Sequence, residues 1–148
     1  CPGVSSFFGA AASLGAEYTL PGVSQTVILT RAAGRTPVPE KERLSALAAH
    51  GASMVLFLSA GRAAEAVSEL LAGGRYMPET PAAIVYKATW PDERILRTTL
   101  GELAREAEAA GITKTALLLI GDFLGAAYEN SKLYDPSFTT EFREGKQA

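Results

Sequence analysis

The chain has 148 residues, 47% apolar and 20% charged, with 14 basic and 16 acidic side chains and a net charge of −2. That length suits one domain able to bury roughly 68–70% of its unfolded surface, and the balance argues against a disordered chain. Its mixed charges give no basic stripe for nucleic acid, no apolar run approaches the ~20 residues of a membrane span, and no signal peptide is visible.

The chain opens Cys1-Pro2-Gly3 rather than with Met, which reads as the interior of a longer protein. Cys1 is the single cysteine, so no internal disulfide is possible; no Cys/His cluster has metal-ligand spacing, and a reducing cytoplasm fits. Ser5 is placed to cap a small-residue helix that Gly15 stops. Residues 25–30 are β-branched and apolar and predict a strand. A loop with Arg31, Arg35, Pro37 and Pro39 follows. Residues 40–49 then predict a helix, with Leu44, Leu47 and Ala48 at i, i+3, i+4.

Residues 53–58 form a continuous apolar run, as in a strand buried on both faces. After the turn Ser59-Ala60-Gly61, the residues Ala63, Ala66, Val67, Leu70 and Leu71 keep helical period up to Gly73-Gly74. Residues 82–86 predict another buried strand, and residues 87–92 a turn containing Trp90-Pro91. Residues 94–98 suit an antiparallel strand. Thr99, with Glu102 three residues on, reads as a capping box for a helix ending at Gly111. Residues 116–120 are the last strand. The pattern predicts an α/β fold: a mixed, about five-stranded sheet flanked by helices, over residues 1–124, with a polar and aromatic tail over 125–148. Helical crossovers are expected to join parallel neighbours.

Open α/β sheets bind ligands beyond the carboxyl ends of their strands. Three such ends can be named, Phe57-Leu58-Ser59, Tyr86-Lys87-Ala88-Thr89 and Ile120-Gly121-Asp122, each with small residues at or beside it that let a flat ligand approach the backbone. His50, the only histidine, is expected in solvent at a helix end. Trp90 suits either stacking on a ligand ring or turn packing. Asp122 reads as a solvated turn residue, and Tyr134 and Phe138 as aromatic packing groups of the tail.

Several stretches resemble the C-terminal domain of the tetrapyrrole (class III) methyltransferases: Pro2-Gly3-Val4-Ser5-Ser6, Val55-Leu56-Phe57-Leu58, Tyr86-Lys87-Ala88-Thr89-Trp90-Pro91 and Leu118-Leu119-Ile120-Gly121. Residues 28–39, Ile28 through Arg31, Arg35 and Pro39, and the tail stretch Ser131 to Thr139 resemble one subgroup of that family. The resemblance covers nearly the whole chain, but the family's N-terminal domain with its glycine-rich cofactor loop has no counterpart in it. It implies methyl transfer from S-adenosyl-L-methionine, with S-adenosyl-L-homocysteine as product, to C11 of precorrin-4 or cobalt-precorrin-4 in cobalamin synthesis. Other ring positions, or a non-catalytic dimerisation or ligand-binding module, are the alternatives.

The resemblance implies cofactor contacts at Phe57, Leu58, Ala88, Thr89 and Gly121, in a cleft shared with the other domain, and a homodimer. A sulfonium donor needs neither metal nor covalent nucleophile, so no catalytic residue is singled out, and alignment and water exclusion carry the chemistry. The substrate implied carries many carboxylates. Arginine holds a carboxylate with two parallel hydrogen bonds, which selects Arg31 and Arg35, then Lys87, with Ser5 and Ser6 able to donate at a helix start.

Overall fold

A computed structural model describes residues 3–125 and 135–145. Its centre is a five-stranded sheet of β1 (Val27–Arg31), β2 (Ser53–Phe57), β3 (Pro81–Tyr86), β4 (Arg94–Thr99) and β5 (Ala116–Ile120), in the order β1-β2-β5-β3-β4. Helix α1 (Ser6–Leu14) covers one face, and α2 (Leu44–Ala48), α3 (Ala63–Ala72) and α4 (Leu103–Ala109) cover the other.

The two cores follow from the period of two along each strand. Met54, Leu56, Ile84, Leu118 and Ile120 point to the three-helix side, and Val55, Ala83, Val85, Leu117 and Leu119 to the α1 side. Every residue of β5 is buried, which is why its sequence shows no polar alternation. Each large side chain so enclosed contributes about 1.5–3 kcal/mol by leaving water.

The mixed sheet agrees with the sequence, but the crossovers depart from it. Only β1 and β2 are parallel neighbours. β5 inserts between β2 and β3 and runs antiparallel to both, pairing Met54 and Ala82 with Ile120. The α3 and α4 crossovers therefore each skip a strand. A continuous apolar run carries burial but no direction, so the sequence pattern left this open.

Two local expectations also change. The helix over 40–49 breaks at Arg43, whose extended backbone (φ −61°, ψ 146°) separates a 3₁₀ turn, Glu40–Glu42, from α2. The break leaves Leu44 and Ala48, one turn apart, both buried. Thr99 caps nothing: it pairs with Pro81 as the last residue of β4, and the Leu100 N–H donates to the Thr80 carbonyl at 2.8 Å. The sheet thus continues past the expected cap, and α4 starts at Leu103 without a side-chain cap. The stops at Gly15 and Gly111 stand, both in the left-handed region at φ 60° and 66°.

In the tail, Thr140 and Arg143 form an isolated antiparallel bridge. Tyr134 and residues 131–133 lie outside the described residues, as do Cys1 and Pro2. No helix among the described residues is long and apolar enough to cross a membrane.

Helices α2 and α3 cross closely at Gly73, where an added Cβ would stand 2.5 Å from the Ala48 Cβ and 2.6 Å from the Ser45 carbonyl oxygen. Gly73→Ala should therefore destabilise the chain by about 1–3 kcal/mol in urea unfolding. A loss below about 0.5 kcal/mol, the range of a neutral surface change, would contradict the close crossing.

Candidate functional site

The direction of β5 decides what meets what. The carboxyl ends of β2 and β3 face the amino end of β5, since Tyr86 pairs with Ala116 and Leu56 with Leu118. A cleft of about 320 Å³ opens there. Phe57, Leu58 and Ala60 form one wall, Lys87, Ala88 and Trp90 another, Thr113 to Leu117 a third, and Ser6 of α1 reaches its edge. Leu58 and Trp90 are mostly exposed at its mouth, 88% and 57%.

Four non-glycine residues among those described have φ in the left-handed region: Leu58 (53°), Lys87 (49°), Thr89 (71°) and Thr115 (56°). All four stand in or beside the cleft. Such backbone costs of order 1–3 kcal/mol per residue, is worst for β-branched side chains such as threonine, and persists only where surrounding bonds enforce it.

Those bonds can be named. Fully buried Ser59 donates from Oγ to the Phe57 carbonyl at 2.7 Å and accepts the Ala32 N–H at 2.8 Å, tying the ends of β1 and β2 together beside Leu58. The Lys87 N–H donates to the Thr115 carbonyl at 2.8 Å, joining two strained residues across the cleft floor. Gly61 fits against the Thr113 carbonyl, where a Cβ would come within 2.8 Å of the oxygen.

The charges at the mouth are organised around Lys87. Its ammonium donates to the Asp92 carboxylate and lies 5.2 Å from the Tyr86 ring centre and 5.3 Å from that of Trp90. The Arg94 guanidinium stands 4.8 Å from the centre of the same Tyr86 ring. The hydrogen bond to Asp92 raises the Lys87 pKa, and the same bond holds the Asp92 carboxyl below its ordinary value. Lys87 is thus a fixed cation in the cleft wall.

Of the residues expected from sequence, Phe57, Leu58, Ala88, Lys87 and Ser6 line the cleft, and Thr89 adjoins it. Trp90 does so as well, serving at once as cleft wall and as packing for Lys87. Ser5 occupies the cap position of α1 without a side-chain cap bond and does not line the cleft.

The structure does not bring every expected residue to the cleft. Gly121 lies at the opposite end of the sheet because β5 is antiparallel. There its N–H donates to the Pro81 carbonyl at 3.0 Å, and its φ of 140° is backbone that favours glycine, so it serves the turn at that edge. Asp122 goes with it. Arg31 turns its guanidinium onto the carbonyls of Ala32, Thr36 and Pro37 at 3.1–3.2 Å and so closes its own loop. Arg35 is exposed on that loop and outside the cleft lining. His50 is exposed, as expected.

The wall from Thr113 to Ala116 is not among the expected residues. Nothing in Thr113-Lys114-Thr115 marks it, because only the strand direction brings that segment to the cleft.

Residues 1–104 match the model of the family described as Tetrapyrrole (Corrin/Porphyrin) Methylases. The cobalt-precorrin-4 C(11)-methyltransferase of Methanocaldococcus jannaschii is 52% identical over 144 residues, 97% of this chain and 55% of that protein. The precorrin-4 C(11)-methyltransferase of Mycobacterium tuberculosis is 49% identical over 135 residues, 90% of this chain and 53% of that protein. The solved structure of a cobalt-precorrin-4 methyltransferase, a cobalamin biosynthetic enzyme, superposes with a TM-score of 0.80 at 49% identity, covering 84% of this chain and 52% of that one. The chain thus spans about half the length of the relatives it matches.

If the cleft backbone stores strain, relieving it should stabilise the fold. Exposed Thr115 stands at φ 56°. Thr115→Asn, which tolerates that conformation, should raise unfolding stability by about 1 kcal/mol. Equal or lower stability in urea titration would remove the strain argument at this position.

Proposed function

The chain belongs to the tetrapyrrole (corrin/porphyrin) methylases, and on that premise we propose that it is the C-terminal part of an S-adenosyl-L-methionine-dependent C-methyltransferase acting on C11 of precorrin-4 or cobalt-precorrin-4 in cobalamin biosynthesis. In this reading residues 1–124 form the domain and 125–148 its tail, an N-terminal domain supplies the other half of the site, and the whole protein is a cytoplasmic homodimer. The substrate and reaction come from the names of relatives about twice as long as this chain.

The observation that carries the reading is the clustering of four strained residues around one cleft at the ends of β2 and β3. Backbone held in sparsely populated conformations clusters at ligand sites, where the surrounding bonds that enforce it also fix the shape of the wall. The wall fits the cofactor in kind. Ala60, Ala88 and Ala116 leave room for a flat ring, and Phe57 and Leu58 give it apolar surface.

The cofactor brings a methyl group already activated by the positive sulfonium. What remains for this chain is binding, orientation and exclusion of water. Phe57, Leu58, Ala88 and Thr89 do this on the cofactor side, joined by Thr113, Thr115 and Ala116. Leu58 and Trp90, apolar and open at the mouth, exclude water once the other half of the site covers them. Lys87 and Ser6 in the cleft wall meet the carboxylate arms of the substrate, with Arg35 and Ser5 reaching them from outside the wall. Arg31 acts indirectly by holding the loop that carries Arg35.

Calorimetric titration of S-adenosyl-L-homocysteine into this chain and into the two-domain protein tests the reading. Binding is expected in the two-domain protein, with Ala88→Leu weakening it more than tenfold because the added side chain fills the wall. Absence of binding to both proteins, or unchanged binding by Ala88→Leu, would contradict it.

A further inference from the structure

Glu93 lies outside the cleft lining, yet it holds the turn that forms one wall. Its Oε2 accepts the Thr89 N–H at 2.6 Å and the Ser13 hydroxyl at 2.7 Å. The two donors come from separate elements: Thr89 from the turn after β3, and Ser13 from the last turn of α1. The turn itself closes through the Trp90 N–H on the Lys87 carbonyl and the Glu93 N–H on the Trp90 carbonyl, at 2.9 and 3.0 Å.

This turn contains two of the four strained residues, Lys87 and Thr89, with cleft-lining Ala88 between them. Thr89 is exposed, so packing alone does not hold its left-handed backbone. On the far side α1 already touches the turn: a Cβ on Gly9 would stand 3.0 Å from the Thr89 Cγ2 and 3.7 Å from the Ala88 Cβ. The hydroxyl of Ser13 and the amide of Thr89 keep the Glu93 carboxyl below its ordinary pKa, so the acceptor is ionised at neutral pH.

Resting on the reading of the cleft as the cofactor site, we propose that Glu93 is a positioning residue whose single oxygen, bonded to Thr89 and Ser13, locks the strained 87–89 turn against α1 and so sets Ala88 in the cofactor wall. It acts through Thr89 and Ser13 and does not line the cleft itself. What matters is reach and acceptor geometry; charge is secondary. A glutamine carbonyl can accept both hydrogen bonds from the same place, whereas aspartate keeps the charge but is one methylene too short.

The test compares Glu93→Gln with Glu93→Asp by amide hydrogen exchange at Thr89 and by affinity for S-adenosyl-L-homocysteine, in this chain and in the two-domain protein. Glu93→Asp should speed Thr89 exchange about tenfold and weaken binding by a similar factor, as loss of a hydrogen bond to a charged group does. Glu93→Gln keeps both acceptor contacts and loses only the charge, so it should be impaired several-fold less than Glu93→Asp in both readouts. Unchanged Thr89 exchange in Glu93→Asp, or a Glu93→Gln variant as impaired as Glu93→Asp, would overturn the proposal. If the unsubstituted proteins bind no S-adenosyl-L-homocysteine, the cofactor reading fails, and Thr89 exchange alone still decides whether Glu93 positions the turn.

Discussion

The antiparallel insertion of β5 between β2 and β3 is the constraint on which the rest of the molecule depends. One strand, buried along its whole length, hydrogen-bonds to both neighbours and carries both cores on its alternating side chains. Because it runs against them, its amino end lies beside their carboxyl ends. The segment Thr113 to Thr115 becomes cleft wall, and Gly121 becomes a turn at the far edge. Reversing that one direction would exchange these roles without altering the hydrophobic pattern.

The core and the cleft stand in opposite thermodynamic positions. Leu118, Leu119, Ile120, Met54, Leu56 and Ile84 are fully enclosed and supply the rigidity. At the strand ends the chain adopts conformations that disfavour folding locally, at Leu58, Lys87, Thr89 and Thr115. The strain is tolerable because each strained turn is tied to a rigid element by short hydrogen bonds through Ser59, Glu93 and the Thr115 carbonyl. A scaffold that holds its loops in this way suits a reaction in which alignment is the protein's main contribution.

Much of this was legible in the sequence, for identifiable reasons. Gly15 and Gly111 mark helix ends because left-handed backbone favours glycine, and both stand there. The apolar runs of β2, β3 and β5 announce strands buried on both faces, and the small residues after β2 and β3 locate two of the three cleft walls. The illegible part is equally specific. An all-apolar strand has no polarity to reveal its direction, so the sequence does not show that Gly121 and the 113–115 wall lie at opposite edges of the sheet. Thr99 and Glu102 have the spacing of a cap, but pairing with Pro81 keeps Thr99 in the sheet. Arg31 has the chemistry to clamp a carboxylate, yet its own loop offers three carbonyls closer at hand. The Glu93 bonds to Ser13 and Thr89 join residues up to 80 positions apart, beyond any local pattern.

The central claim is that the ligand wall lies at the carboxyl ends of β2 and β3 with the amino end of β5. Backbone amide shifts of the isotopically labelled protein, followed as S-adenosyl-L-homocysteine is added, test it most directly. The largest changes are expected at Leu58, Ala88 and residues 113–116, with Gly121 and Ser53 at the far edge unmoved. Changes centred on Gly121 and Ser53, or none at the three walls, would contradict it.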